Sequence, residues 1–182
     1  MPNWVHHHLT ITGPAEERER FLQECFTASG EGPELDFNKL IPMPEDVKAS
    51  TKEPGPCFPA HSLWYDWCCD NWGTKWNASG GGITKEGDSL YLSFDTAWAP
   101  PEPIFHEIAT RYPSLSFAGN ILEEMGHFEA VIRCQGGKVE YDVTRPAKWR
   151  EPEDEARQID EQHEAIELMA ELKGQDHDDI PF

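Results

Sequence analysis

A chain of 182 residues is long enough for one hydrophobic core with appendages. Its 15 Lys+Arg against 34 Asp+Glu give a formal charge of −19, which excludes coating of duplex DNA or an anionic membrane by bulk charge. The 7 Trp, 9 Phe and 4 Tyr exclude a fully disordered chain. No apolar run of about 18 residues and no signal-peptide pattern is present, and five cysteines, two of them adjacent, do not form a disulfide framework. A cytoplasmic protein with free thiols is expected.

In chain order, Trp4 to Thr12 alternates as a strand that Gly13-Pro14 stops. Residues Ala15 to Thr27 set Phe21, Leu22, Cys25 and Phe26 on one face of an amphipathic helix. The proline-rich stretch from Gly32 to Pro59 reads as a long loop anchored by Phe37, Leu40 and Ile41. His61 to Trp72 predicts a short aromatic helix with Gly73 as its left-handed cap. Residues Ser79-Gly80-Gly81-Gly82 read as a flexible link before a strand from Ser89 to Phe94. Pro100-Pro101 announces a helix over Glu102 to Tyr112 that buries Ile104, Phe105, Ile108 and Ala109. Three strands follow, Leu115 to Ile121, Phe128 to Cys134 and Lys138 to Thr144, the last two joined by a tight turn at Gly136-Gly137. This order predicts an α+β domain over residues 1–146, a mainly antiparallel sheet with helices on one face.

Beyond that domain the composition changes. Residues 151–182 hold 2 basic and 12 acidic side chains. A charged helix is expected within residues 147–174, as a lid or an oligomerisation stripe, then a flexible acidic tail over 175–182.

Signatures of catalysis are missing: there is no phosphate-binding glycine loop, no nucleophile elbow and no zinc-protease helix. No enzyme, metal or cofactor is therefore expected. His6, His7 and His8 read as partly exposed strand histidines, since alternation splits them between two faces. Cys57, His61, Cys68 and Cys69 lack the paired spacing of a zinc site. The aromatic residues are a stronger signal. Trp64, Trp72, Trp76 and Trp98 with Lys75 are candidates for stacking on unpaired bases. Arg133, Lys138, Arg145, Lys148 and Arg150, from a segment with 5 basic and 2 acidic side chains, would contact phosphates.

The segments MPNW (1–4), FNKLIPMP (37–44), WGTKWNA (72–78) and FDTAWAPP (94–101) resemble the YubB-type family of plasmid- and phage-borne proteins, over about residues 1–145. That resemblance implies a ferredoxin-like domain and a mobile-element origin in a bacterial host. It carries no established activity.

Asp178-Asp179-Ile180-Pro181-Phe182 resembles the acidic tip of bacterial single-stranded DNA-binding proteins. In those proteins the tip docks onto replication, recombination and repair enzymes. Its chemistry can be read directly. Phe182 offers a ring and a terminal carboxylate, Pro181 stiffens the approach, Ile180 adds apolar surface, and Asp178 and Asp179 steer toward basic rims. Two functions remain open at this point. One is a mobile-element single-stranded DNA-binding protein that recruits host enzymes through its tip. The other is a non-DNA-binding inhibitor or adaptor that mimics that tip to engage repair or defence enzymes.

Overall fold

The computed structural model describes residues 2–30, 32–50 and 63–144. Met1–Thr144 is one compact unit. The expected C-terminal helix and acidic tail lie outside the described residues.

The first strand, β1 (Trp4–Thr12), alternates as its sequence demands: Val5, His7, Leu9 and Ile11 are buried, while His6, His8, Thr10 and Thr12 face the other way. Helix α1 (Ala15–Cys25) follows Pro14 and buries Phe21 and Cys25. It stops two residues earlier than the periodicity predicts. Phe26 is already extended and opens β2 (Phe26–Ser29), which pairs with β3 (Gly32–Leu35). The Phe26 ring packs edge-on against Phe21 at 5.4 Å, so the same apolar stripe serves a strand instead of a last helical turn.

Over residues 32–50 the proline-rich stretch, the rest of which lies outside the described residues, is more ordered than a loop. It contains β3 and two short helices, α2 (Phe37–Leu40) and α3 (Glu45–Ser50), with Phe37 and Leu40 buried and Ile41 half-buried. Asp36 caps α2 by accepting from the Asn38 amide. Next come α4 (Leu63–Trp72), β4 (Ser79–Glu86), β5 (Ser89–Ala97), α5 (Glu102–Arg111), β6 (Ser116–Glu123), β7 (Glu129–Gln135) and β8 (Lys138–Thr144).

The expected flexible link at Ser79–Gly82 is instead the start of β4. Its glycines serve close approach: a Cβ on Gly81 would lie 2.3 Å from the Ser93 carbonyl oxygen, and Gly81 sits at φ +70° inside a register shift against β5.

The six-stranded sheet runs β4-β5-β1-β6-β7-β8 with every neighbouring pair antiparallel. Strands β4, β5, β1 and β6 with α1 and α5 make a ferredoxin-like arrangement, and β7 and β8 extend it as a meander. One face joins the core: Leu9, Leu92, Phe94, Phe117 and Ile132 pack with Phe21, Phe105, Ile108 and Tyr112 of α1, α5 and its C-terminal end. The other face carries His8, Thr10, Tyr91, Ser93, Ala118, Asn120 and Arg133, none of which enters the core cluster.

Candidate nucleic-acid interface

The segment Trp72–Trp76 follows α4 and divides its residues between anchor and surface. Trp72 is 3% exposed, packs edge-on against Phe37 at 5.8 Å and donates its indole N–H to the Ile41 carbonyl at 2.9 Å. It is a core residue and has no free face on which a base could stack, which removes it from the predicted interface. Gly73 turns the chain at φ +78°, where a Cβ would meet Pro103 Cδ at 2.8 Å. Thr74 is buried, donates to the Ala97 carbonyl at 2.8 Å and accepts from the Ala97 amide at 3.1 Å. Lys75 and Trp76 then project to the surface beside Trp98.

Trp98 is presented by an unusual turn. It is the one non-glycine residue with positive φ (+66°) among the described residues, and the Ala99 amide donates to the Ala97 carbonyl across it at 2.9 Å. That is a γ-turn of the rare positive-φ kind, which is strained for an L residue. Its surroundings hold it from several sides. The Trp98 amide donates to the Asn3 carbonyl at 2.9 Å, Thr74 grips Ala97, and the Thr96 hydroxyl donates to the Ala99 carbonyl at 2.8 Å.

Because Thr96 spends its one proton on Ala99, it accepts from His7 Nε2 at 2.9 Å. His7 is therefore the Nε2–H tautomer, with Nδ1 buried and unpartnered. Its ring stacks on Phe94 at 4.4 Å, and burial lowers its pKa to about 3, with His6 and His8 adding to the effect. His7 is thus fully buried, against the expectation of a partly exposed strand histidine. His6 is half-buried with Nδ1 2.7 Å from Asp95 Oδ1, and His8 is exposed.

The surface group is Trp4, Trp76 and Trp98 with Lys75. Trp76 lies 5.9 Å from Trp4 and 6.3 Å from Trp98, the latter nearly parallel at 28°. The Lys75 ammonium sits 4.8 Å from the Trp76 ring centre, 5.0 Å from Trp98 and 5.8 Å from Tyr65, within cation–π range of all three. Trp98 is 45% exposed, Trp4 and Trp76 are half-buried, and none of the three belongs to the core cluster. Lys75 has no carboxylate partner among the described residues.

All four sequence segments singled out above meet here. Asn3 and Trp4 touch the 94–101 and 72–78 segments, and Asn77 ties in the third by accepting from the Phe37 amide at 2.8 Å. The arrangement offers flat π faces and one cation, the chemistry of base stacking beside a phosphate.

Of the remaining predicted residues, Trp64 is half-buried against the core and makes no ring contact with this cluster. Arg133 and Lys138 are exposed on β7 and β8, with Arg133 opposite Glu140. They are separated from Trp4 by two to three strands and about 20 Å of strand length. Arg145, Lys148, Arg150 and Asp178 to Phe182 lie outside the described residues. Trp4 and Tyr65 complete the cluster but were not among the predicted interface residues. Trp4 was legible from the β1 alternation, which places it on the side opposite Val5. Of the four residues weighed for zinc, Cys68 and Cys69 are described. Cys68 is buried, and burial pushes its thiol up to about 12, so it is an inert core group. Among the described residues no cluster of three or more His, Cys, Asp or Glu is placed to hold a metal, and no helix is long and apolar enough to cross a membrane.

No curated protein matches this chain. Among solved structures it is similar to the crystal structure of a protein api92 from Yersinia pseudotuberculosis, with 15% identity and a TM-score of 0.49. That alignment covers 64% of this chain and 42% of the other, so this chain spans under half the length of that relative. The family model described as "Ferredoxin-like domain in Api92-like protein" matches residues 71–173. That span contains α4's end, β4 to β8 and two of the three tryptophans of the cluster, and by it the chain belongs to the family of ferredoxin-like domains of Api92-like proteins.

Proposed function

We propose that this chain is a single-stranded DNA-binding protein of a mobile genetic element, which recruits host replication and repair enzymes through residues 178–182. The observation that carries the first half is the Trp4–Trp76–Trp98 cluster outside the core, with the Lys75 ammonium against two of its rings. A base laid on Trp98 gains stacking, and Lys75 is within a side-chain swing of the adjoining phosphate. A structural role alone does not call for a tryptophan that is 45% exposed on a strained turn. The recruitment half rests on the resemblance of Asp178 to Phe182 to the tip of single-stranded DNA-binding proteins.

The net charge of −19 favours one competing reading, in which the domain binds no DNA and the tip engages repair or defence enzymes as an adaptor or inhibitor. Titrating the protein with oligo-dT at low salt while following tryptophan fluorescence separates the two. Quenching that weakens as salt rises, and that is lost in Trp98→Ala, supports DNA binding. Absence of quenching at low salt refutes it and leaves the adaptor reading.

A further inference from the structure

The face of the sheet turned away from α1 and α5 carries chemistry that the tryptophan cluster does not use. On it lies a groove of about 730 Å³, floored by β5, β1 and β6 and walled by Pro33 and by the β4 glycines. Across the floor runs one row of side chains in register, Ser93, His8 and Asn120, flanked in the next row by Tyr91, which is 43% exposed. Among the described residues these four side chains make no hydrogen bond to the protein.

Charge gives the groove a preference. In a chain of −19, no residue lining it is Asp or Glu. The same holds for the adjoining depression, lined by Thr10, Thr12, Ser116 and Arg133 among others. Carboxylates on this face stand around it and not in it: Glu86 two residues along β4 from Thr84, Asp142 in the row of Asn120 across β7, Asp95, which pairs with His6 at 2.7 Å, and Glu140, in register with Arg133. Trp4 stands on the same side of β1 as His8 and Thr10, so the aromatic cluster and the groove share one face. Along the strand, Trp4 is about 13 Å from His8 and about 20 Å from the row of Tyr91.

We propose that this groove is a second nucleobase subsite, in which a single DNA strand stacked at Trp98 and Trp76 runs along β1 and lays a further base on Tyr91. Ser93, His8 and Asn120 supply donors and acceptors to that base, and Arg133 meets the backbone beyond it. The inference rests on the single-stranded DNA-binding reading above and extends it with a path and a polarity of chemistry: stacking and cation at one end, a hydrogen-bonding groove at the other.

The test compares a thymidine trinucleotide, too short to span both subsites, with oligo-dT of about 12 nucleotides. Both are titrated against wild type, Tyr91→Ala, Asn120→Asp and Trp98→Ala, with circular dichroism as the check on folding. Wild type should bind the longer strand more tightly than the trinucleotide. Tyr91→Ala and Asn120→Asp should weaken the longer strand by about 5- to 100-fold and the trinucleotide, which still has the tryptophan site, by much less. Trp98→Ala should weaken both. Equal binding of the longer strand by wild type, Tyr91→Ala and Asn120→Asp overturns the second subsite while leaving the tryptophan site intact. Failure of wild type to bind either strand overturns both readings. Tighter binding of oligo-U than oligo-dT overturns the assignment to DNA.

Discussion

Replacing Trp98 by glycine should separate what the residue does for the fold from what it does on the surface. The backbone at φ +66° penalises any L residue by about 1 to 2 kcal/mol, whereas glycine adopts it freely. Glycine in turn loses about 0.4 to 1 kcal/mol through its freer unfolded chain. Trp98 is 45% exposed, so either substitution forfeits the same packing of its ring against Trp76 and Lys75, and that loss cancels between the two variants. Trp98→Gly should therefore be more stable than Trp98→Ala by about 0.5 to 1 kcal/mol, with both below wild type by the packing lost, and both variants should lose oligo-dT binding. Urea denaturation of the three proteins at neutral pH, paired with oligonucleotide titration, measures both quantities. An alanine variant as stable as the glycine variant would show that the turn is not strained. Retained oligo-dT affinity in both variants would show that the strain serves something other than a base-stacking surface.

Other expectations concern the groups that hold this turn and the tail. Thr96→Val leaves His7 Nε2–H and the Ala99 carbonyl without partners, so it should lose about 2 to 4 kcal/mol of stability and raise acrylamide quenching of Trp98, whereas Thr96→Ser should restore most of both. His7 is held neutral, with its folded pKa lowered from 6.5 to about 3. Its contribution is whole above the unfolded pKa and is lost as pH falls toward the folded one. Between about pH 7 and about pH 5 wild type should lose about 2 kcal/mol more than His7→Phe, measured by urea unfolding at each pH; parallel losses would refute the assignment. Deleting Phe182 should abolish capture of host enzymes that recognise the tip of single-stranded DNA-binding proteins and leave oligo-dT affinity unchanged; equal capture by both baits would refute the docking role.

Strict alternation made β1 and the three C-terminal strands legible, because a half-buried strand writes its two faces directly into the chain. The helix over Glu102 to Arg111 was equally plain, with prolines at its start and a four-residue apolar stripe. Elsewhere local signals were ambiguous. Glycines at 80–82 indicate flexibility or close packing alike, and only the approach of Ser93 decides for packing. Prolines between 32 and 50 hid two short helices whose stability comes from burying Phe37, Leu40 and Val47, a tertiary effect. Phe26 satisfied a helical period and a strand equally.

The candidate interface was legible in composition but not in detail. A tryptophan count cannot tell Trp72, bonded to Ile41 in the core, from Trp76 four residues on. Their separation depends on Gly73 and Thr74 turning and pinning the chain between them. Trp98 carried no sequence mark of its positive φ at all.

The two edges of the sheet bear on how many copies can be brought close together without fusing. On β4 the extra residue at Gly80-Gly81 breaks the regular spacing of the outer backbone groups, so a second chain cannot add there along the whole strand. On β8, self-pairing in antiparallel register about Glu140 sets Glu140 against its own copy. Pairing about Tyr141 sets Glu140 against Asp142. Pairing about Asp142 sets Asp142 against its own copy, so carboxylates oppose each other in all three registers that use five or more residues of the strand and keep like faces together. Under the proposed function, molecules crowded side by side on one DNA strand would meet through edges that resist β-aggregation.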